Sequence, residues 1–493
     1  MAASHPGVEY NFGRLKKIRI PCAPRADGIA LPFYIQRLPL SPNCVFFCAG
    51  HHASHAAAAC FPAPTAGRRS LVVTLDGVGE GISAAIWKSE NAKLALLHSY
   101  GRYGSIGWFF SNVTEALGWR HGSDEWKVMG LAAYGTPQPK VLEGFHPQYE
   151  NGKLIRKHDY PSFNTWDEHG DRHYHSSDTD AIARIATRMG RENLAAEAQR
   201  VVEEQVSRLI FPWLKREKTG SLFAAGGVFL NVKMNQMLWQ SGNLSDFWIY
   251  PNPGDSGLAA GAALLAHTTL CPEISCEPLQ QFSLGPEFSN KDIRTILKER
   301  GLLFREVSNP AEAALPYLLQ NRVVAWFQGR AESGPRALGH RSILMDPRHA
   351  NNKDLINAKI KFREAFRPFC PSILAPKKDE YLINTRDDRF MMSSFQVREE
   401  YRVKMPAVVH VDGSVRPQFV HRNEDPLYYE LIKRFGDSTG IYALLNTSFN
   451  IKGEPIVCSP RDALRTFFDT GIDILIIGNF VIQKPGLEER THP

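Results

Sequence analysis

Ser221-Leu222-Phe223-Ala224-Ala225-Gly226-Gly227-Val228-Phe229-Leu230-Asn231 is the stretch on which the fold reading turns. A short apolar run meets paired glycines and then a helix-like segment, so a buried strand delivers the chain to a loop whose exposed amides favour an anion. The same grammar recurs on both sides. Upstream, Leu71-Val72-Val73-Thr74-Leu75-Asp76-Gly77-Val78-Gly79-Glu80-Gly81 is a β-branched run that carries Asp76 into a glycine-rich loop. Downstream, Phe247-Trp248-Ile249-Tyr250 leads through Pro251-Asn252-Pro253-Gly254-Asp255-Ser256-Gly257 into an Ala-rich helix, Leu258 to Ala266, which sets a second carboxylate at a strand tip.

Three strand, glycine-loop, helix units in one domain resemble an actin-type nucleotide-binding fold, whose loops converge on phosphates and a metal ion. Further upstream, Gly50-His51-His52-Ala53-Ser54-His55 opens into four alanines and reads as the first turns of a helix. The four-residue spacing sets His51 and His55 on one face, about 5–6 Å apart at Cβ, which suits two ligands of one ion. His52 points elsewhere. A polar helix start is the plain alternative, but with one or two of the aspartates the histidines complete a metal site. Nitrogen and oxygen ligands admit iron, zinc or manganese alike.

The 493 residues suffice for two or three domains with ordinary globular composition, 43% hydrophobic and 22% charged. The start lacks a signal-peptide pattern, and no apolar run approaches a membrane span, so a cytoplasmic, soluble protein is expected. Eight cysteines are scattered without a Cys-x-x-Cys pair, which argues against a disulfide framework or a thiolate zinc site. Net charge is +7. The excess is concentrated: residues 322–367 carry ten Lys and Arg against four Asp and Glu. Interleaved with glycines and apolar residues, those cations describe a pocket for small anions better than a stripe for nucleic acid.

Residues 1–50 offer two short strands, within 15–20 and 44–49, and no glycine-rich phosphate loop. Lys127, in Lys127-Val128-Met129-Gly130-Leu131-Ala132, stands at a helix start, placed either to meet a phosphate or as a plain surface lysine. Residues 136–178 read as a polar, irregular insertion; its Asp167-Glu168-His169 and His173-Tyr174-His175 are better explained as loop residues than as ligands. From Glu192 to Glu217 apolar residues repeat at helical spacing, as scaffold. A proline-punctuated stretch, 272–286, marks a domain boundary. The expected organisation is 1–275, a linker 276–295, and 296–493.

In the second part a strand, 323–327, runs into Gln328-Gly329-Arg330-Ala331-Glu332-Ser333-Gly334-Pro335-Arg336-Ala337-Leu338-Gly339-His340-Arg341. Three arginines among glycines suit paired phosphate oxygens; the alternative is salt bridges to Glu332 and Asp346. Lys359 to Phe369 adds cations, Asp412-Gly413-Ser414-Val415-Arg416 another at a turn, and Tyr442 to Asn450 is a strand ending in Asn446-Thr447-Ser448-Phe449-Asn450. Cations, a serine and asparagines together describe a site for a phosphate ester and a nucleotide.

Taken in order from His51 to the C-terminus, these motifs resemble the bacterial O-carbamoyltransferase family of nodulation and antibiotic-tailoring enzymes. The resemblance implies an α/β architecture: an actin-like (ASKHA-type) N-terminal domain like the tRNA threonylcarbamoyl transferase subunit, then an α/β carbamoyl-adenylate-forming domain. It implies that the second domain makes carbamoyl adenylate from carbamoyl phosphate and ATP with Mg, releasing pyrophosphate, and that the first passes the carbamoyl group to a hydroxyl of a small-molecule acceptor. The implied metal ligands are His51, His55, Asp76 and Asp255, holding Fe(II) or another divalent ion. Lys127, Gly226, Gly227, Asn231 and Asp255 would face the nucleotide. Arg336, Lys361, Arg367 and Arg416 would bind phosphates, with Ser448 and Asn450 positioning the carbamoyl group or nucleotide. A homodimer is compatible with the resemblance. The family's first hairpin, with its His-Asp-Ala-Ser-like motif, has no counterpart before His51, which leaves the phosphate side of the transfer site short.

Rival readings are weaker. A zinc protease needs His-Glu-x-x-His, and here His52, Ala53 and Ser54 intervene. A tRNA-modifying enzyme would bind RNA with steep salt dependence, and the charge lies in pockets. A degenerate nucleotide-binding protein would bind without releasing pyrophosphate. Acceptor specificity is expected in residues 136–190 and 1–50.

Overall fold

The computed structural model describes residues 49–484 apart from 92, 161, 167–171, 177, 272–275 and 365, together with two short parallel strands, Lys16–Ile18 and Val45–Phe47. The rest of 1–48, where the family's first hairpin would fall, and residues 167–169 lie outside the described residues. His173 and His175 fall in a strand described by its backbone alone. The chain divides into two compact units, 1–279 and 280–493.

The first unit is built on a mixed five-stranded sheet. Strands β1 (Ser70–Gly79), β2 (Ile82–Glu90) and β3 (Lys93–Gly101) form an antiparallel meander. On the other side of β1, β4 (Ser221–Ala225) and then β5 (Asp246–Ile249) add in parallel. All five residues of β4 are buried, as suits a central strand paired in parallel on both sides and packed under α1. Helix α1 (His51–Cys60) lies against β1 and β4, and α2 (Ile106–Ala116), capped by the Ser105 hydroxyl, packs on β1. Then come α3 (Glu125–Leu131), α4 (Asp178–Met189), the long α5 (Arg191–Glu217), α6 (Val232–Gln240) and α7 (Leu258–Leu270). In α5 the expected stripe Leu194, Ala195, Ala198, Val201, Val202, Val206, Leu209 and Ile210 is buried.

Small residues bring α1 and α7 together. A Cβ on Gly261 of α7 would lie 1.9 Å from the Ser54 carbonyl oxygen, so the two helices touch backbone to backbone. This crossing places the short 3-10 turn Asp255–Gly257, which leads into α7, beside the histidines of α1.

Two expectations are corrected. Asp76 does not lie in a loop, and its strand does not lead to a helix. Strand β1 continues through Asp76 to Gly79 and turns back at Glu80-Gly81 into β2, both turn residues having positive φ (54° and 79°) as a tight hairpin requires. Alternation and composition cannot reveal this, since glycines after a strand fit a hairpin as well as a phosphate loop. The 136–178 insertion is also more regular than expected: Gln148–Glu150 pairs with Lys153–Arg156, and Ser162–Trp166 with Arg172–Ser176, as two hairpins.

The second unit has an eight-stranded mixed sheet. Its strands are β6 (Arg305–Glu306), β7 (Val324–Phe327), β8 (Arg341–Met345), β9 (Cys370–Leu374), β10 (Gln418–Val420), β11 (Ala443–Ser448), β12 (Ile474–Ile477) and β13 (Phe480–Gln483), in the order β6-β13-β12-β7-β8-β11-β9-β10. Helix α8 (Asn290–Glu299), which starts inside the segment read as linker, carries a Ser289/Asp292 capping box. One face of the sheet is covered by α9 (Pro310–Leu319) and α10 (Pro426–Thr439), which bury Ala311, Leu318, Trp326, Leu344, Tyr428 and Phe435 in one cluster. Among the described residues no helix is long and apolar enough to cross a membrane.

Gly226 tests the first unit's construction. Its φ of 102° belongs to glycine, and a Cβ would lie 2.0 Å from the Leu75 carbonyl oxygen. Gly226→Ala is expected to cost about 3 kcal/mol or more, read as a lowered midpoint in urea unfolding followed by circular dichroism.

Candidate metal centre and cation site

In the first unit the structure brings His51, His55, Asp76 and Asp255 together, with one potential ligand atom from each within 4.8 Å of the others. Nε2 of His51 and Nε2 of His55 lie 3.0 and 3.1 Å from Asp76 Oδ2, and each is 3.6 Å from Asp255 Oδ1. The other oxygen of Asp76 accepts the Gly77 amide at 2.8 Å, which aims the carboxylate at the helix. The exposure is graded: the His55 side chain is 1% exposed and that of Asp255 is 72%, so the cluster opens to solvent on the Asp255 side. Two imidazoles and two carboxylates form a donor set that fits a divalent cation of the iron, manganese or zinc kind.

Glycines leave room for these groups. A Cβ on Gly79 would come 2.1 Å from the His51 ring, one on Gly77 would meet Trp108, one on Gly107 would meet the Asp76 carbonyl, and one on Gly227 would sit 3.0 Å from Asp76 Oδ1. His52 faces away, as its position predicts. Its Nε2–H donates to the Ile82 carbonyl at 2.9 Å, and Nδ1 accepts from the Thr74 hydroxyl at 2.8 Å. Burial pushes its pKa down to about 4, so a neutral ring pins α1 to the β1–β2 hairpin.

Electrostatics within the cluster are mutual. Burial would raise the Asp76 pKa, but hydrogen bonds from His51 and His55 outweigh it and hold the carboxyl far below the usual range. Burial would lower the His55 pKa, but its bonds to Asp255 and Asp76 hold it above the ordinary 6.5.

The remaining candidates of this unit are engaged within the fold. Asn231 caps α6 by accepting the Met234 amide and exchanges two hydrogen bonds with Gln199, at 2.9 and 3.0 Å. Lys127 pairs with Asp124 at 3.0 Å, and its ammonium lies over the rings of Trp119 and Trp126. Gly226 and Gly227 lie directly against Leu75 and Asp76, which places this glycine pair at the His/Asp cluster.

In the second unit Lys361 is 4% exposed and has four oxygens around its ammonium: Ser448 O and Oγ at 2.5 and 3.2 Å, and Asn450 O and Oδ1 at 3.0 and 2.7 Å. Burial, with the charges of Arg363 and Arg367 beside it, pushes Lys361 well below its ordinary range. Arg336 is lowered to about 9 by burial and by Arg416, and Arg363 to about 9 by burial and by Arg367, with Arg416 adding to the effect. Arg367 leans on Glu364 at 3.3 Å, and Arg416 donates to the Cys370 sulfur at 2.9 and 3.2 Å. Five cations thus crowd one region with few carboxylates among them. Between Lys361 and Arg363 the backbone of Phe362 is left-handed, with φ of 46°, a strained state for a bulky residue.

Salt bridges do not explain the arginine loop. Asp346 is taken by Arg348, and Glu332 accepts main-chain amides. Arg341 is fully buried as a structural strut, its guanidinium bonded to the carbonyls of Gln328, Gly329, Pro286 and His340 and stacked 3.5 Å from the Phe327 ring centre. Arg363 is the member of the cluster that motif reading passed over, although it stands two residues after Lys361.

The N-terminal carbamoyltransferase family model matches residues 40–264 and the C-terminal model residues 316–484. The chain belongs to the carbamoyltransferase family. It is 35% identical over 444 residues to nodulation protein NolO of Bradyrhizobium diazoefficiens, covering 88% of this chain and 78% of that protein. Against nodulation protein NolNO of Sinorhizobium fredii the figures are 36% over 457 residues, 90% and 65%. An uncharacterized protein of Synechocystis, sll1178, is 35% identical over 481 residues, covering 89% and 76%. Among solved structures, full-length HypF in its phosphate- and nucleotide-bound form overlaps 48% of this carbamoyltransferase and 45% of its own chain at 15% identity with a TM-score of 0.27, too loose a match to carry residue roles across.

Because His55 is held above its ordinary pKa, loading the cluster with a divalent ion must displace its proton. Affinity for Mn(II) or Fe(II) is expected to weaken about tenfold per pH unit on acidification below neutral, and His55→Ala to weaken it at least about a hundredfold at pH 7.5. Calorimetric titration in two buffers of different ionisation enthalpy reads both the affinity and the released proton.

Proposed function

We propose that this enzyme is an ATP-dependent O-carbamoyltransferase that works in two stages. The observation that carries the reading is the cation cluster of the second unit, where Arg336, Lys361, Arg363, Arg367 and Arg416 are gathered, and where burial and neighbouring positive charge lower Arg336, Lys361 and Arg363 in pKa. Such an arrangement is costly until an anion enters. Phosphates relieve it, and a nucleoside triphosphate together with carbamoyl phosphate brings several. Balance of atoms sets the products: water releases inorganic phosphate from carbamoyl phosphate, and the carbamate oxygen attacks the α-phosphorus of ATP. Carbamoyl adenylate forms as pyrophosphate leaves. The guanidinium groups neutralise the departing charge, a contribution commonly worth a few kcal/mol per donor.

Transfer is assigned to the first unit. Its meander followed by two parallel strands supports an actin-type domain, and its glycine pair at 226–227 supports a nucleotide phosphate beside the metal cluster. An acceptor hydroxyl attacks the carbamoyl carbon, the bond to the AMP oxygen breaks, and the hydroxyl proton passes to a neighbouring base or water. A divalent ion held by His51, His55, Asp76 and Asp255 would offset the charge of the leaving phosphate. The acceptor is read as a hydroxyl-bearing small molecule.

Purified protein given MgATP and carbamoyl phosphate without acceptor should release pyrophosphate. Arg336→Ala and Lys361→Met should each reduce that rate about a hundredfold or more. Bound ATP with no carbamoyl-phosphate-dependent release would overturn the reading.

A further inference from the structure

Glu332 lies in the loop between β7 and β8, and its two oxygens have different surroundings. Oε1 accepts the amides of Leu338, His340 and Arg341 at 2.8, 2.9 and 3.0 Å, so three dipoles converge on one atom and tie the two ends of the arginine loop together. Oε2 is buried and has no hydrogen-bond partner among the described residues. A buried carboxylate oxygen without a donor carries a penalty that a ligand N–H removes. Glu332 also borders a cavity of about 400 Å³, together with Gly334, Pro335, Ser448, Asn450, Pro455 and Ile456. Two of those lining residues, Ser448 and Asn450, also hold the Lys361 ammonium through their side-chain oxygens.

In a unit gathered around cations, this oxygen is an acceptor that phosphate cannot satisfy. Every phosphate and carbonyl oxygen of a carbamoyl donor is itself an acceptor; the amino group alone carries N–H. We propose that Glu332 selects the acyl donor, its Oε2 accepting an N–H of the carbamoyl amino group while Oε1 holds the loop in shape. The assignment rests on the carbamoyl adenylation reading. Acetyl phosphate has nearly the same shape, with a methyl group in place of the amino group, and would leave Oε2 unpaired. Sites built to bond an N–H reject the analogue that lacks it far more strongly than apolar pockets reject a size change.

The test is pyrophosphate release at fixed MgATP with carbamoyl phosphate or acetyl phosphate, in the wild type and in Glu332→Gln. Glutamine keeps an oxygen for the three amides and puts an NH₂ group where Oε2 was. Wild type should prefer carbamoyl phosphate strongly. Glu332→Gln should lower kcat/KM for carbamoyl phosphate about tenfold or more while leaving acetyl phosphate nearly unchanged, so the donor ratio collapses. The adenine amino group is common to both arms and cancels from that ratio. A variant in which both donors fall alike, with the ratio intact, would reduce Glu332 to a loop brace and overturn the assignment. Should the variant fail to fold, the wild-type ratio decides: comparable use of the two donors overturns it. Wild type that releases no pyrophosphate with carbamoyl phosphate refutes the adenylation reading itself, and the assignment with it.

Discussion

The Asp76 carboxylate is the point to which the first unit is tied. One oxygen is aimed by the Gly77 amide and the other meets two imidazoles one helical turn apart. For that contact to exist, β1 must carry Asp76 past the end of its regular pairing, α1 must lie flat on β1 and β4, and the start of α7 must come up beside α1. Each requirement is met by absence of side-chain bulk: alanines along α1, Gly261 at the helix crossing, Gly226 under Leu75. Opposite charges at the buried end of the cluster then add their own attraction, visible in the way Asp76 is held below, and His55 above, their ordinary pKa values.

The second unit is organised by the opposite principle. Its central groups repel, and apart from Arg367, which pairs with Glu364, they are kept together by neutral partners: carbonyls and an amide oxygen for Lys361, Asn357 for Arg363, a sulfur for Arg416. Neutral acceptors hold a cation in place without cancelling its charge, so the field remains available to an anion. The left-handed Phe362 belongs to the same economy, since a strained backbone between Lys361 and Arg363 persists only where its surroundings enforce it. Attraction assembles one site and enforced repulsion the other.

Much of this was legible along the chain, and what was not has physical causes. The helix of His51 and His55 follows from spacing, and the placement of Asp76 and Asp255 near strand ends follows from apolar runs stopped by glycine. The β1–β2 hairpin was not legible, because Glu80-Gly81 closes a turn only if the following residues find β1 as partner, which is a property of pairing rather than of the dipeptide. The motif places Asn231 toward a nucleotide, yet its side chain is consumed as a helix cap and by Gln199. The alternative role of Glu332, as a counter-charge for arginine, does not hold; its partners are amides six to nine residues on, a geometry that no residue type announces.

The clearance around His51 bears on how such chains diverge. A Cβ at Gly79 would occupy the space of the imidazole, so one added methyl group in a lineage could displace a ligand while every ligand residue stays in place. Relatives that keep both histidines and both aspartates are therefore not assured of the same chemistry. Whether a descendant still works is written in the residues that must stay small, and a family's silent members would be told from its active ones by their glycines.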